Sequence, residues 1–230
     1  MKNSKEAIKH SMQVEKIKLL AEKGNSKAQF NLGFLYRIGK GVKQDYRKAY
    51  YWYSLSAEQG YPEAQYKVGL MYYKGQVVAK DYKNALKWYL LAANQNDPKA
   101  QFNLGVLYRK AQGVAQDHKQ AFKWFLLSGK QGYALAQFTL AGIYENGEGI
   151  TQDLNEAIKW LSLAGEQGYT DAQYKLGWMH YHGEGVNQNY QTAFDWYLPA
   201  AKKGDMKAQF GLAIMYDNGH GVTQDIQKAF

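Results

Sequence analysis

Ala28-Gln29-Phe30-Asn31-Leu32-Gly33-Phe34-Leu35-Tyr36 decides how this chain is read, because the segment returns five more times with small edits. Its first residue recurs as Ala64, Ala100, Ala136, Ala172 and Ala208, always 36 residues on. Gln65, Gln101, Gln137, Gln173 and Gln209 follow in step. A second comb, Trp52, Trp88, Trp124, Trp160 and Trp196, keeps the same interval. A fixed period of this length marks stacked supersecondary units, none of which can bury its apolar face alone. With 46% hydrophobic, 15% aromatic and 21% charged residues, the chain is too apolar and too patterned for disorder.

One unit, residues 21–56, shows how the period folds. Ala28, Leu32, Leu35 and Tyr36 sit at helical spacing and predict an amphipathic helix A over Ser26–Ile38, ended by Gly39-Lys40-Gly41. Asp45 stands before a second periodic run, helix B, as an N-cap contributing on the order of 1 kcal/mol. Gly24, Gly60, Gly132, Gly168 and Gly204 close helix B, and Asn96, which also tolerates the left-handed cap, takes the third place. Pro62 and Pro98 open helices A, where a missing N–H costs nothing, while Pro199 falls late in a helix B and is expected to loosen or kink it. Ala28, Gly33 and Ala49 with their copies let helices approach closely. Every comb tryptophan is read as core between neighbouring hairpins. The expected fold is all-α, a right-handed α-α solenoid of stacked antiparallel helix hairpins.

The assembled pattern A-x-x-G-x-x-x-A-Q-F-x-L-G-x-L-Y-x-x-G-x-G-V-x-Q-D-x-x-K-A-x-x-W-Y resembles the Sel1-like repeat, a relative of the tetratricopeptide repeat, over Ala21–Phe230. The resemblance implies a bacterial adaptor or scaffold, with immunity against secreted toxins and envelope or host-interaction assembly as two subclasses. It also implies that helix A lines the concave side. Residues 1–20 read as an N-terminal capping helix, with Lys16 at the tryptophan position, and residues 21–230 as six repeats. The sixth stops about one turn into its helix B at Phe230, which leads to the expectation of a longer parent chain. Val77 and Ala111 replace loop glycines, so those two turns are expected to differ. His180 stands where other units place tyrosine. The disulfide that bridges the helices in many secreted relatives cannot form here, because there is no cysteine.

Positions locked to the period are structural, so specificity is expected at those that vary. One helix-A position reads Phe34, Leu70, Val106, Gly142, Trp178 and Ile214, and a neighbouring one Arg37, Tyr73, Arg109, Glu145, Tyr181 and Asp217. Large apolar, aromatic and arginine side chains are the usual hot-spot types. Phe34, Arg37, Lys67, Leu70, Tyr73, Val106, Arg109, Trp178 and Tyr181 are therefore the candidate partner-binding residues. Charge reverses along the chain: residues 1–128 hold 22 Lys+Arg against 9 Asp+Glu, residues 129–230 hold 7 against 11, and the net charge is +9. A basic first half suits a protein partner with an acidic surface.

Catalytic and metal chemistry find no support. The Gly-x-Gly turns follow a helix and lack the Gly-Lys-Ser/Thr of a phosphate loop. His180 and His182 are two apart on a helix and face different ways, with no cysteine or carboxylate to complete a metal site. No cofactor fingerprint emerges, so neither an enzyme nor a cofactor protein is expected. The alternative reading is an RNA-binding helical repeat using the basic N-terminal half. The acidic second half opposes a phosphate backbone and makes nucleic acid the weaker partner. Membrane insertion is not expected, since no apolar run reaches 18 residues. The lysine-rich start has no signal-peptide core, so the chain as written reads as cytoplasmic, and as periplasmic or secreted where a signal has been removed.

Overall fold

The computed structural model describes the backbone of residues 2–229 and the side chains of residues 12–229, so Phe230 lies outside the described residues. It contains twelve α-helices and, among the described residues, no strand. Two compact units divide it, Met1–Asp117 and His118–Phe230. The first holds α1 (Lys2–Glu22), α2 (Ser26–Ile38), α3 (Tyr46–Glu58), α4 (Pro62–Lys74), α5 (Tyr82–Ala93) and α6 (Pro98–Arg109). The second holds α7 (His118–Lys130), α8 (Ala134–Asn146), α9 (Leu154–Glu166), α10 (Thr170–His182), α11 (Tyr190–Lys202) and α12 (Met206–Asn218). In each unit every helix packs on the next, which is the stacked-hairpin solenoid that the period predicts. Residues 226–228, after Asp225, form a turn.

Each hairpin is fixed at its ends by side chains that recur. The Asp45 carboxylate accepts hydrogen bonds from the backbone N–H of Arg47 and Lys48 and so caps α3. Its neighbour Gln44 turns the other way and donates Nε2 to the Arg37 carbonyl, 2.9 Å, at the end of α2. Gln152, Gln188 and Gln224 repeat that bond to Glu145, Tyr181 and Asp217. The Gln-Asp pair thus closes one helix and opens the next, a double role that the sequence reading reduced to a cap.

The buried glutamine comb joins neighbouring repeats within each unit. Gln65 donates to the Ala57 carbonyl in the last turn of α3 and accepts from Gln95 of the following helix B. Gln137 does the same with Gly129 and Gln167 in the second unit. Buried amides are tolerated because both ends are bonded.

The core differs from expectation by one residue. Only Trp160 of the comb is buried, at 7% exposure, whereas Trp52, Trp88, Trp124 and Trp196 are half-buried. The large interior side chains are those that follow each tryptophan: Tyr53, Tyr89, Phe125, Leu161 and Tyr197. The reason is the glycine comb. A Cβ added to Gly33 would stand 2.8 Å from the Tyr53 ring, and one on Gly177 2.5 Å from that of Tyr197. Where Leu161 replaces the aromatic ring, Ala141 replaces the glycine. The tryptophans pack instead across neighbouring hairpins, Trp160 towards Gly129 and Trp196 towards Gly165.

The two turns with substituted glycines fare differently. Val77 and Ala111 both adopt the left-handed conformation of the glycines they replace, with φ of 75° and 54°. At Ala111 the turn does change: α6 ends one residue early, at Arg109, with Lys110 as its cap at φ −101°. Pro199 lies inside α11, which runs on to Lys202. Asn96 takes φ of 65° as the substitute cap.

Candidate partner-binding face

The helices A are α2, α4, α6, α8, α10 and α12, and the period gives each the same orientation to its own hairpin. Side chains at the positions of Phe34 and Arg37 lie at the edge of the hairpin, partly packed on helix B and partly open: Trp178 and Tyr181 pack against the cluster around Tyr197, and Arg37 lies by Tyr53 of α3. Phe34 is 39% exposed. Arg37, Lys67, Leu70, Tyr73, Val106, Arg109, Trp178 and Tyr181 are all half-buried. Seven of these nine candidates belong to the first unit, and Trp178 and Tyr181 to the second.

In the first unit the face is basic. The Arg37 guanidinium lies over the Phe34 ring, 5.1 Å from its centroid, and Lys67 Nζ lies 5.3 Å from that of Tyr66. Lys67 is held below the ordinary lysine range, first by burial and then by the nearby charges of Arg37 and Lys99, with Asp97 opposing. Tyr73 packs on Tyr82, ring centroids 5.5 Å apart, and burial raises its hydroxyl pKa. That contact braces the turn between α4 and α5.

In the second unit the face is aromatic. Trp178 packs against the core around Tyr197 on one side and meets the His182 ring at a tilt of 43°, centroids 4.7 Å apart. Its other side borders two grooves. One, of about 270 Å³, is lined by Tyr174, Trp178, Tyr181, Phe210 and Ile214 among others. The second, of about 460 Å³, lies towards Phe138, Asp171 and Lys175 and shares Tyr174, Trp178 and Lys207 with the first. Tyr181 is less available than its position suggested. Its hydroxyl meets His220 Nδ1 at 2.9 Å, and its ring packs on Tyr190. Among the described residues no group of three or more His, Cys, Asp or Glu could hold a metal ion, and no helix is long and apolar enough to cross a membrane.

The sequence reading missed another surface. Leu19, Leu55, Leu91, Leu127 and Leu163 recur at the same 36-residue interval on the outer side of helices B. Leu91 and Leu127 are 48% and 47% exposed. The comb was visible in the sequence, but leucine at a fixed period was absorbed into the core pattern.

Stacked helix hairpins with open side-chain faces define a helical repeat protein. The chain belongs to the Sel1 repeat family: Sel1 repeats match residues 26–61, 62–97, 98–133, 134–169, 170–205 and 207–230. Members are typically non-enzymatic protein-interaction scaffolds. Among solved structures it is similar to c5321, a protective antigen of uropathogenic Escherichia coli, with 40% identity and a TM-score of 0.88 over 94% of this chain. A Sel1 repeat protein from Oxalobacter formigenes matches at 35% identity and TM-score 0.85 over 93% of this chain. The chain spans 46% and 62% of the lengths of those two proteins. The immunity protein Pa5087 of Pseudomonas aeruginosa is similar at 25% identity and TM-score 0.55, over 85% of this chain and 74% of that one. A search of curated proteins returns no match.

Proposed function

We propose that this chain is a non-enzymatic scaffold that binds another protein through the outward side chains of its helices A. The observation that supports this most is the pair of grooves beside Trp178, whose walls combine positions that vary from repeat to repeat, Trp178, Tyr181 and Ile214, with the recurring aromatic position of Phe138, Tyr174 and Phe210. An aromatic ring anchored on one side and open on the other is the kind of residue that dominates binding energy. The basic face of the first unit adds charge recognition, which governs approach rate and partner choice more than raw affinity. Of the two subclasses, the likeness to an immunity protein supports inhibition of a toxin, and the likeness to a protective antigen supports an envelope or host-interaction scaffold.

The exposed leucine comb supports a rival face on helices B. Its residues are leucine at five successive places before Pro199 takes the sixth, which suits a general apolar contact better than a selective one. Photo-crosslinking side chains installed singly at Phe34, Trp178, Leu91 and Leu127 separate the two faces. Partner adducts are expected from Phe34 and Trp178. Adducts confined to Leu91 and Leu127 would move the interface to helices B.

A further inference from the structure

Consecutive helices A meet through residues 30 apart. In the second unit one such pair is Glu145 of α8 and Lys175 of α10, a half-buried ion pair. Three repeats earlier, the same two positions are Arg37 of α2 and Lys67 of α4. One slot therefore holds an acid and a base in the second unit and two bases in the first. Neither Arg37 nor Lys67 forms an ion pair among the described residues, and the Arg37 Nε is buried without a partner. The nearby carboxylate, Asp97, is engaged elsewhere, accepting the Ala100 N–H at 2.7 Å as the cap of α6. Lys99 adds a third positive charge, and Lys74 a more distant fourth.

Two cations close together, whose one nearby carboxylate is already engaged as a helix cap, keep positive charge available for an arriving anion. Arg37 brings a planar guanidinium that rests on Phe34 and beside the Tyr53 hydroxyl, and Lys67 an ammonium held over the Tyr66 ring. We propose that the slot between Arg37 and Lys67 binds a carboxylate side chain of a partner protein, as Glu145 serves Lys175 within the chain. This rests on the scaffold reading above and names the chemistry at one point of that face. The depressed pKa of Lys67 agrees with it, since an arriving negative charge would restore the ordinary value. A carboxylate is favoured over nucleic-acid phosphate because the cations form a single cluster and not a track. The corresponding slot of the second unit already holds an acid.

The test uses the full chain with two fluorescent probes, a hexaglutamate peptide and a six-nucleotide oligouridylate, at low salt. Hexaglutamate is expected to bind the parent and to bind Arg37→Glu at least tenfold more weakly. Its binding should raise the Lys67 ammonium pKa followed by NMR. Arg37→Glu should also melt higher than the parent, because it installs the ion pair seen at Glu145–Lys175. Should that variant fail to fold, Arg37→Gln and Lys67→Gln each serve, with an expected loss of at least threefold. Equal hexaglutamate affinity in the parent and the variants overturns the proposal, and so does oligouridylate binding that is tighter and depends on Arg37. Partner adducts at Phe34 and Trp178 alongside unchanged hexaglutamate binding would reject the carboxylate slot and leave the scaffold reading standing. Arg37-dependent hexaglutamate binding without helix-A adducts would do the reverse.

Discussion

Arg37 and Lys67 in the first unit stand where Glu145 and Lys175 stand in the second, three repeats apart on the same scaffold. The backbone around both pairs is set by the same devices: a glutamine bonded to the carbonyl of Arg37 or Glu145, and a left-handed glycine at 39 or 147. Only the outward side chains differ. The comparison teaches that the period writes the frame and leaves the face to individual residues. A slot closed by its own ion pair can become an open receptor through one change of charge.

The two units differ inside as well. Every non-glycine residue with left-handed φ among the described residues, Val77, Asn96 and Ala111, lies in the first unit. In the second, glycine fills every such place. The first unit also has a hydroxyl pair, Tyr50 and Tyr72 at 3.1 Å, where the second packs Phe122 on Tyr144 and Phe194 on Tyr216.

These contrasts can be broken or sharpened by mutation, beginning with the part that should not differ. Tyr53→Ala in the first unit and Phe125→Ala in the second should each cost about 3–5 kcal/mol in chemical denaturation, since both rings are fully buried. Trp124→Ala should cost less than Phe125→Ala because its ring is half-exposed. The reverse order would return the core to the tryptophan comb. Next in size, Val77→Gly should stabilise the first unit by about 1 kcal/mol, as a β-branched residue leaves the left-handed region. A loss of stability there would mean that the Val77 side chain contributes more by packing than its backbone loses.

A smaller effect concerns alkaline pH. The hydrogen bond with Tyr50, then burial, pushes the Tyr72 hydroxyl up to about 12 from an ordinary 10.0. A raised folded pKa gives a contribution that is complete below pH 10 and lost as pH rises through about 12. Tyr50→Phe should bring phenolate formation at Tyr72 to lower pH in ultraviolet titration. It should also flatten the decline of stability in that window by a few tenths of a kcal/mol, because the group is largely solvent-screened. An unchanged titration would remove the distinction between this pair and the phenylalanine pairs of the second unit.

Much of the frame was legible in the sequence. Helix A at Ser26–Ile38, the caps at Asp45 and Asn96 and the prolines opening α4 and α6 follow from local chemistry that needs no tertiary information. The one-residue shift from tryptophan to its neighbour was harder to read. Both residues lie on the inner side of helix B, and only the space above Gly33 and its copies selects between them. The face was less legible still. Variation picked out Phe34, Arg37 and Trp178, but a period of 36 hides contacts between residues 30 apart, so Glu145–Lys175 and its counterpart emerged only from the stacked helices. The same blindness made Tyr181 look open, when His220, from the turn of the next repeat, already meets its hydroxyl.

A pair of double-mutant cycles in the unliganded chain tests the central contrast most directly, with Arg37→Ala and Lys67→Ala in one and Glu145→Ala and Lys175→Ala in the other. The expected coupling is stabilising by about 0.5–1 kcal/mol for Glu145–Lys175 and destabilising by a similar amount for Arg37–Lys67. A zero or stabilising coupling between Arg37 and Lys67 would contradict the account, because the first slot would then hold no unmet positive charge.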